Sequence, residues 1–156
     1  MTTPVKTIAD LATITPGFSL KPEERKKSGR YLLVGGRNIK DGKLITTDAD
    51  SYVGEIDRES FRRAIAKAGD VIVSTLFDRR KLYLYDKDDP PAVVNSSCAI
   101  IRAGSQSDYI ISYLRSAQGQ ATFWKKQAKL QAALSSRACR RGISGRLKFQ
   151  FYPWIS

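Results

Sequence analysis

A series of short extended runs, each closed by a turn signal, constrains the fold more than any other feature of this sequence. Tyr31–Val34 (YLLV) stops at Gly35-Gly36, and residues 71–77 (VIVSTLF) stop at Asp78-Arg79-Arg80. Residues 81–85 (KLYLY) alternate with period two, and residues 92–101 hold two further runs about Asn95-Ser96-Ser97. Asp41-Gly42 stands at the tip of a turn from which a strand leaves. Strands this short reach a stable core only by pairing, and the series reads as a β-meander. A helix is expected on either side of it. In residues 57–68, Phe61, Ala64, Ile65 and Ala68 fall at helical spacing, with Asp57 placed to cap the start and Gly69 to end the helix. In residues 108–133, Ile110, Tyr113, Leu114, Ala117, Ala121, Trp124 and Ala128 make one apolar stripe, with Gly119 as a weak point. Before the meander lie a short apolar-polar stretch over 5–11, a Pro16-Gly17 turn and an exposed loop over 21–30 (KPEERKKSGR). The expected fold class is α+β: a small, twisted, mostly antiparallel sheet with flanking helices.

The length of 156 residues suits one domain, and a 42% hydrophobic share supplies a core. Charge is unevenly distributed. Through Asp108 the chain has 18 basic and 15 acidic residues, a net of +3; beyond Asp108 it has nine basic residues and no acidic one. A one-signed block suits a polyanionic partner, nucleic acid or an anionic membrane surface, and a solubilising surface accounts for a basic excess alone equally well. The first 20 residues contain no unbroken apolar stretch of signal or membrane length, so a cytoplasmic protein without a membrane partner is expected.

Several kinds of chemistry are excluded or weakened. With no histidine, Ser-His and Cys-His triads and the usual zinc sets are absent. Cys98 and Cys139 form no C-x-x-C pair, and Cys98, inside an apolar run, reads as a buried thiol. Asp89-Pro90-Pro91-Ala92 is like the Asp-Pro-Pro-aromatic loop of amino-methyltransferases, but Ala92 stands where an aromatic must stack the flipped base. Gly35-Gly36 lacks the rest of a phosphate-binding glycine series and reads as a bulge or a close backbone approach. Asp57 with Glu59, or Asp86 with Asp88 and Asp89, would serve a metal-dependent nuclease only if separate elements brought them together. Caps and solvated turns are the simpler reading. No catalytic residue, metal ligand or cofactor is therefore expected.

What remains is cationic and polar side chains at element ends. Arg25, Lys26 and Lys27 occupy one loop, Arg37, Asn38 and Lys40 border the Gly-Gly turn, and Arg79, Arg80 and Lys81 crown the hairpin expected after residue 77. Arginine bonds guanine through two donors, asparagine does the same with adenine, and lysine holds phosphate. These nine residues are the candidate DNA contacts.

In order along the chain, five segments resemble the target recognition domain of the specificity subunit of type I restriction–modification systems. They are a short opening strand leading to Ile14-Thr15-Pro16-Gly17-Phe18; Tyr31 to Gly42 with its Gly36-Arg37-Asn38-Ile39 turn; Gly69-Asp70-Val71-Ile72-Val73-Ser74; Asn95 to Arg102; and Tyr109-Ile110-Ile111-Ser112-Tyr113-Leu114-Arg115-Ser116. The resemblance covers roughly residues 5–134. It implies reading of duplex DNA without catalysis, on behalf of a methyltransferase subunit that modifies adenine and a restriction subunit that cleaves. That family's base-reading residues lie in variable loops with no fixed motif, so the nine candidates rest on their own chemistry. The chain has room for one recognition domain, at 1–134, and none for the long spacer helices of a full subunit. Such a half-subunit is expected to pair by two-fold symmetry. Residues 135–156 form a basic tail that departs from the family pattern, as a truncation or frame-shift would produce. Two other readings stay open: a small nuclease or methyltransferase fragment, and a protein that docks a methylase through residues 108–133 without binding DNA.

Overall fold

The computed structural model describes residues 8–74, 81–117 and 119. Its elements are α1 (Ile8–Leu11), β1 (Thr13–Pro16), β2 (Tyr31–Val34), β3 (Ile39–Lys40), β4 (Lys43–Leu44), β5 (Tyr52–Val53), α2 (Glu59–Ala64), β6 (Asp70–Ser74), β7 (Leu82–Leu84), β8 (Ala92–Val94), β9 (Cys98–Arg102) and α3 (Ser107–Arg115). Three 3-10 turns, Pro22–Glu24, Gly36–Asn38 and Gly104–Gln106, complete it. The fold is mixed α+β, with mostly antiparallel sheets and few helices among the described residues.

One sheet has four antiparallel strands in the order β1-β9-β6-β7, a second has the order β5-β2-β8, and β3-β4 is a separate ribbon. Alternation along each central strand sends its side chains to two different cores. Val71 and Val73 of β6, with Ala99 and Ile101 of β9, face Ile110, Ile111 and Leu114 of α3. Ile72, Cys98 and Ile100, on the other face, meet Leu32, Val34, Ala92 and Val94 of the second sheet. The far face of that sheet carries Tyr31, Leu33, Val53 and Val93 against Phe61 and Ala64 of α2. Both sheets are thus covered on both faces, which is why β2, β6 and β8 read as unbroken apolar runs.

The expected meander is corrected. β6 and β7 pair as sequence neighbours, Val71 against Leu84, but β8 leaves for the other sheet and runs parallel to β2. β9 returns between β1 and β6. Ala92, Val93 and Val94 are fully buried, and a strand apolar on both faces is satisfied only between two layers, not at a meander's edge.

The first expected helix is shorter than its apolar spacing. α2 ends at Ala64; Ile65 is extended and bridges Val93, and the Ala66 N–H bonds the Ala92 carbonyl. Competition from the neighbouring strand edge wins over the last helical turn. Arg58, not Asp57, holds the N-cap position, and Asp57 instead pairs with Arg62 at 2.7 Å. Gly69 does not cap α2. It takes a φ of +88° in the turn that delivers Asp70 to β6.

The second helix, expected over 108–133, breaks at Ser116, whose ψ of 155° is extended. The Ser116 hydroxyl donates to the Tyr113 carbonyl and accepts the Gly119 N–H, so it closes α3 and satisfies a donor three residues beyond the break. Residues 120–133, the tail over 135–156 and the expected turn at 78–80 lie outside the described residues, as do residues 75–77 of the first expected hairpin strand. The opening segment is helical over Ile8–Leu11, and the first strand begins only at Thr13. The Asp41-Gly42 turn is found as expected: both residues take positive φ, 50° and 74°, and join β3 to β4 through a two-residue loop. The loop over 21–30 is largely exposed. None of the helices among the described residues is long and apolar enough to cross a membrane.

Candidate nucleic-acid interface

The loop after β2 is built on close backbone approach. A Cβ on Gly35 would stand 2.6 Å from Asn95 Nδ2, so any other residue would have to displace that amide, and the Gly36 N–H donates to Ser97 Oγ at 3.1 Å. The Gly-Gly pair is thus a close approach, one of the two readings its sequence allows. Asn38 then turns the chain. Its Oδ1 accepts the Gly35 N–H at 3.1 Å, and its Nδ2 donates to the Ile45 carbonyl at 3.1 Å and to Asp50 Oδ1 at 2.9 Å. Asp50 is itself buried and accepts the Thr47 N–H at 2.7 Å. Lys81 reaches across from the other sheet and donates to the carbonyls of Gly36 and Ile39, bracketing the turn.

On this braced turn Arg37 is exposed. Its Nη2 donates to the Ala49 carbonyl at 3.0 Å and lies 3.7 Å from Asp50 Oδ1, which leaves most of its five donors for a ligand. Lys40 is exposed on β3, directly opposite Lys43 of β4. The second cationic loop adjoins the same edge. Lys26 forms an antiparallel bridge with Tyr52, the two backbone bonds each 2.9 Å, and Arg25, Lys26 and Lys27 are all exposed. The segment over 47–52 therefore joins the two loops: Arg37 and Asn38 bind it at Ala49 and Asp50, and Lys26 binds it at Tyr52.

Six carboxylates among the described residues are held by arginines, Asp50 by Arg37 as above. Arg30 pairs with Glu55 at 2.6 Å, Arg58 with Glu24, Arg62 with Asp57 and Glu59, Arg63 with Glu59, and Arg102 with Asp70. The Lys21 N–H and Arg58 hold the Glu24 carboxyl below its ordinary range, and Arg62 and Arg63 do the same for Glu59. Among the described residues, Arg25, Lys26, Lys27, Lys40 and Lys43 have no carboxylate partner. Exposed and without a carboxylate partner, they are available to a polyanion.

The nine sequence candidates thus divide. Arg25, Lys26, Lys27, Arg37 and Lys40 are exposed cations. Asn38 is corrected: it is 2% exposed, and its amide is committed to the turn, so it holds the loop rather than an adenine edge. Lys81 is corrected likewise, since its ammonium is held by two backbone carbonyls. Arg79 and Arg80 lie outside the described residues. Sequence reasoning passed over Lys43, which hairpin register about Asp41-Gly42 would have placed opposite Lys40, and Asp50, whose role depends on contacts no local pattern encodes.

Four of the five carboxylates weighed for metal chemistry, Asp57, Glu59, Asp86 and Asp89, are engaged in local structure. Asp89 Oδ2 accepts the Tyr83 hydroxyl at 2.6 Å and the Asp86 N–H at 2.7 Å, and Asp86 Oδ1 accepts the Asp88 N–H. Asp57 and Glu59 pair with arginines of α2. Among the described residues no group of three or more metal-ligating side chains forms. Cys98 is buried as expected, and burial pushes its thiol up to about 11. In a Cys139→Ser variant at pH 8, Cys98 of the folded protein is therefore expected to react with a thiol reagent roughly two-hundredfold more slowly than in the unfolded chain, whose ordinary thiol pKa is about 8.5. Stopped-flow labelling with and without denaturant measures the ratio; equal rates would contradict the burial. Compared with protein-family models the chain matches none, and no curated protein matches it in sequence.

Proposed function

We propose that this chain is a sequence-specific duplex-DNA-binding module of the target-recognition kind, which directs a partner adenine methyltransferase or restriction complex and performs no catalysis itself. One observation carries the reading. Arg25, Lys26 and Lys27 of one loop, and Arg37 and Lys40 beside the Gly-Gly turn, are exposed cations, and the 47–52 segment joins the two groups. Such an arrangement suits duplex recognition: lysines hold phosphates and set register, while an arginine with free donors can reach a guanine edge. The braced turn beneath Arg37 supports this, because a contact residue discriminates best from a rigid base. The resemblance of the five segments to target recognition domains supplies the methyltransferase partner.

Fluorescence anisotropy with a randomised duplex pool tests the proposal. If the five cations each contact a phosphate, log K is expected to fall with log[salt] at a slope near −4.5, about −0.9 per contact. Arg25→Gln alone is expected to weaken binding roughly eightfold at 0.1 M salt, the same relation applied to a single contact. Selection from the pool should enrich a short motif. A salt-insensitive interaction, or a pool that stays random at every round, would sink the reading.

A further inference from the structure

The β3–β4 hairpin gathers cations that form no ion pair among the described residues. Lys40 and Lys43 are cross-strand partners, so their side chains share one face of the ribbon. The guanidinium of Arg115, at the end of α3, arrives at the same tip from a different layer: its Nη2 lies 3.1 Å from where a Cβ on Gly42 would stand. Gly42 therefore serves two needs, a φ of +74° and room for the arginine. Asp41, the carboxylate within the turn, forms no ion pair with any of the three among the described residues. The chain after Arg115 supplies no acidic residue at all. Like charges held opposite one another repel, and here the fold adds a third cation to two that already face each other.

We propose that Lys40, Lys43 and Arg115 form a phosphate-binding tip whose occupant is the phosphodiester backbone of duplex nucleic acid. The proposal rests on the DNA-binding reading and deepens it, assigning a backbone anchor to the hairpin and α3 beside the contacts of the two loops. A diester is favoured over free phosphate because the three cations come from two exposed, long-stemmed lysines and a helix end, without a buried donor to enclose a small ion. Arg37, in the turn that leads into β3, adds a further exposed cation to the same stretch of chain. The contacts carry no sequence information and act as positioning charges.

The test compares wild type with Lys43→Gln, Arg115→Gln and Arg115→Lys on labelled duplexes across a salt series. Each glutamine variant is expected to lose roughly eightfold in affinity at 0.1 M salt, equally for all sequences, and to make the salt slope shallower by about 0.9. Arg115→Lys should keep the wild-type slope, which a purely structural role of the guanidinium would not explain. Lys43→Gln, at an exposed ribbon position, keeps the test valid should Arg115→Gln fail to fold. Inorganic phosphate at 10 mM should compete no better than an equal ionic strength of chloride. If both glutamine variants keep the wild-type slope while Arg25→Gln changes it, the tip is no contact, though the DNA-binding reading stands. Wild type that binds no duplex removes both. Tighter binding to anionic phospholipid vesicles than to duplex, lost in the same variants, would also overturn the assignment.

Discussion

Phe61→Ala is expected to lower folding stability by about 4 kcal/mol, the range found when a fully buried phenylalanine is truncated. Phe61 is 0% exposed, and its ring meets Phe18 at 5.4 Å and Tyr31 at 5.6 Å, both edge-on. Those two geometries place ring edges against the negative face and add to area burial. The substitution also removes the one large side chain that α2 sends into the core. α2 has six residues, fewer than a helix needs to persist alone, so it holds its shape by this packing. The Phe18 ring, freed on one side, would keep Arg58 on another, its guanidinium carbon 4.6 Å from the centroid. Urea unfolding monitored by circular dichroism measures the loss. A change under about 1 kcal/mol would mean that α2 is not packed as described.

The second large effect lies between the two central strands of the four-stranded sheet. Asp70 of β6 and Arg102 of β9 are register partners, and Arg102 Nε donates to both Asp70 oxygens at 3.2 Å. Asp70 also accepts the Lys67 N–H at 2.8 Å, while Arg102 Nη2 donates to the Ile65 carbonyl. The pair thus ties the end of α2 to the sheet through four bonds. Asp70→Ala strips Arg102 of its counter-ion at a site only 24% exposed and is expected to cost about 3 kcal/mol, toward the low end for broken buried pairs. Asp70→Asn keeps an acceptor for Lys67 and should cost less than half as much.

Burial raises the Asp70 carboxyl above its ordinary value, outweighing the lowering by the Lys67 N–H and Arg102. The folded state therefore holds this proton more tightly than the unfolded chain. The stability from that difference is fully present below the unfolded Asp range and is lost as pH rises through the folded value. The gap in stability between wild type and Asp70→Asn should accordingly be wider at acid pH than at neutral pH. A gap that widens toward neutrality would show that the ion pair, and not burial, controls the group.

Much of the local structure was legible before the fold. Asp41-Gly42 demanded a turn with two positive φ values, and the structure has one. The runs at Tyr31–Val34 and over 92–101 became strands because their apolar residues sit on a pleated backbone with cover on both faces. Cys98 was legible as buried from its apolar neighbours. The helix ends were not. Ala68 continues the helical spacing past Ala64, yet Ile65 and Ala66 pair with β8, and a periodicity that fits a helix cannot report a strand edge waiting beside it. Ser116 breaks the second helix through a hydroxyl that suits either a helix interior facing water or a cap.

The candidate interface divides along the same line. Arg25, Lys26, Lys27, Arg37 and Lys40 are exposed as their loop positions suggested, because charged groups without buried partners stay in water. Asn38 and Lys81 have the residue chemistry of base and phosphate readers, and that chemistry is the same whether the acceptor is a base edge or a backbone carbonyl. Only tertiary structure decides which acceptor stands near. It places Gly36, Ile39 and Ile45 carbonyls there, and Asp50 beside them.

By itself, then, the amino-acid sequence determined where the chain extends, where it turns, which thiol is buried and which cations lie in loops. Each of these comes from local sterics or from the cost of removing a charge from water. The tertiary structure alone decided the strand order, with β8 parallel to β2 and β9 between β1 and β6, and it brought Arg115 to the hairpin tip. Backbone hydrogen bonds between strands are alike for every residue, so which strands pair is settled by the simultaneous covering of both faces of both sheets.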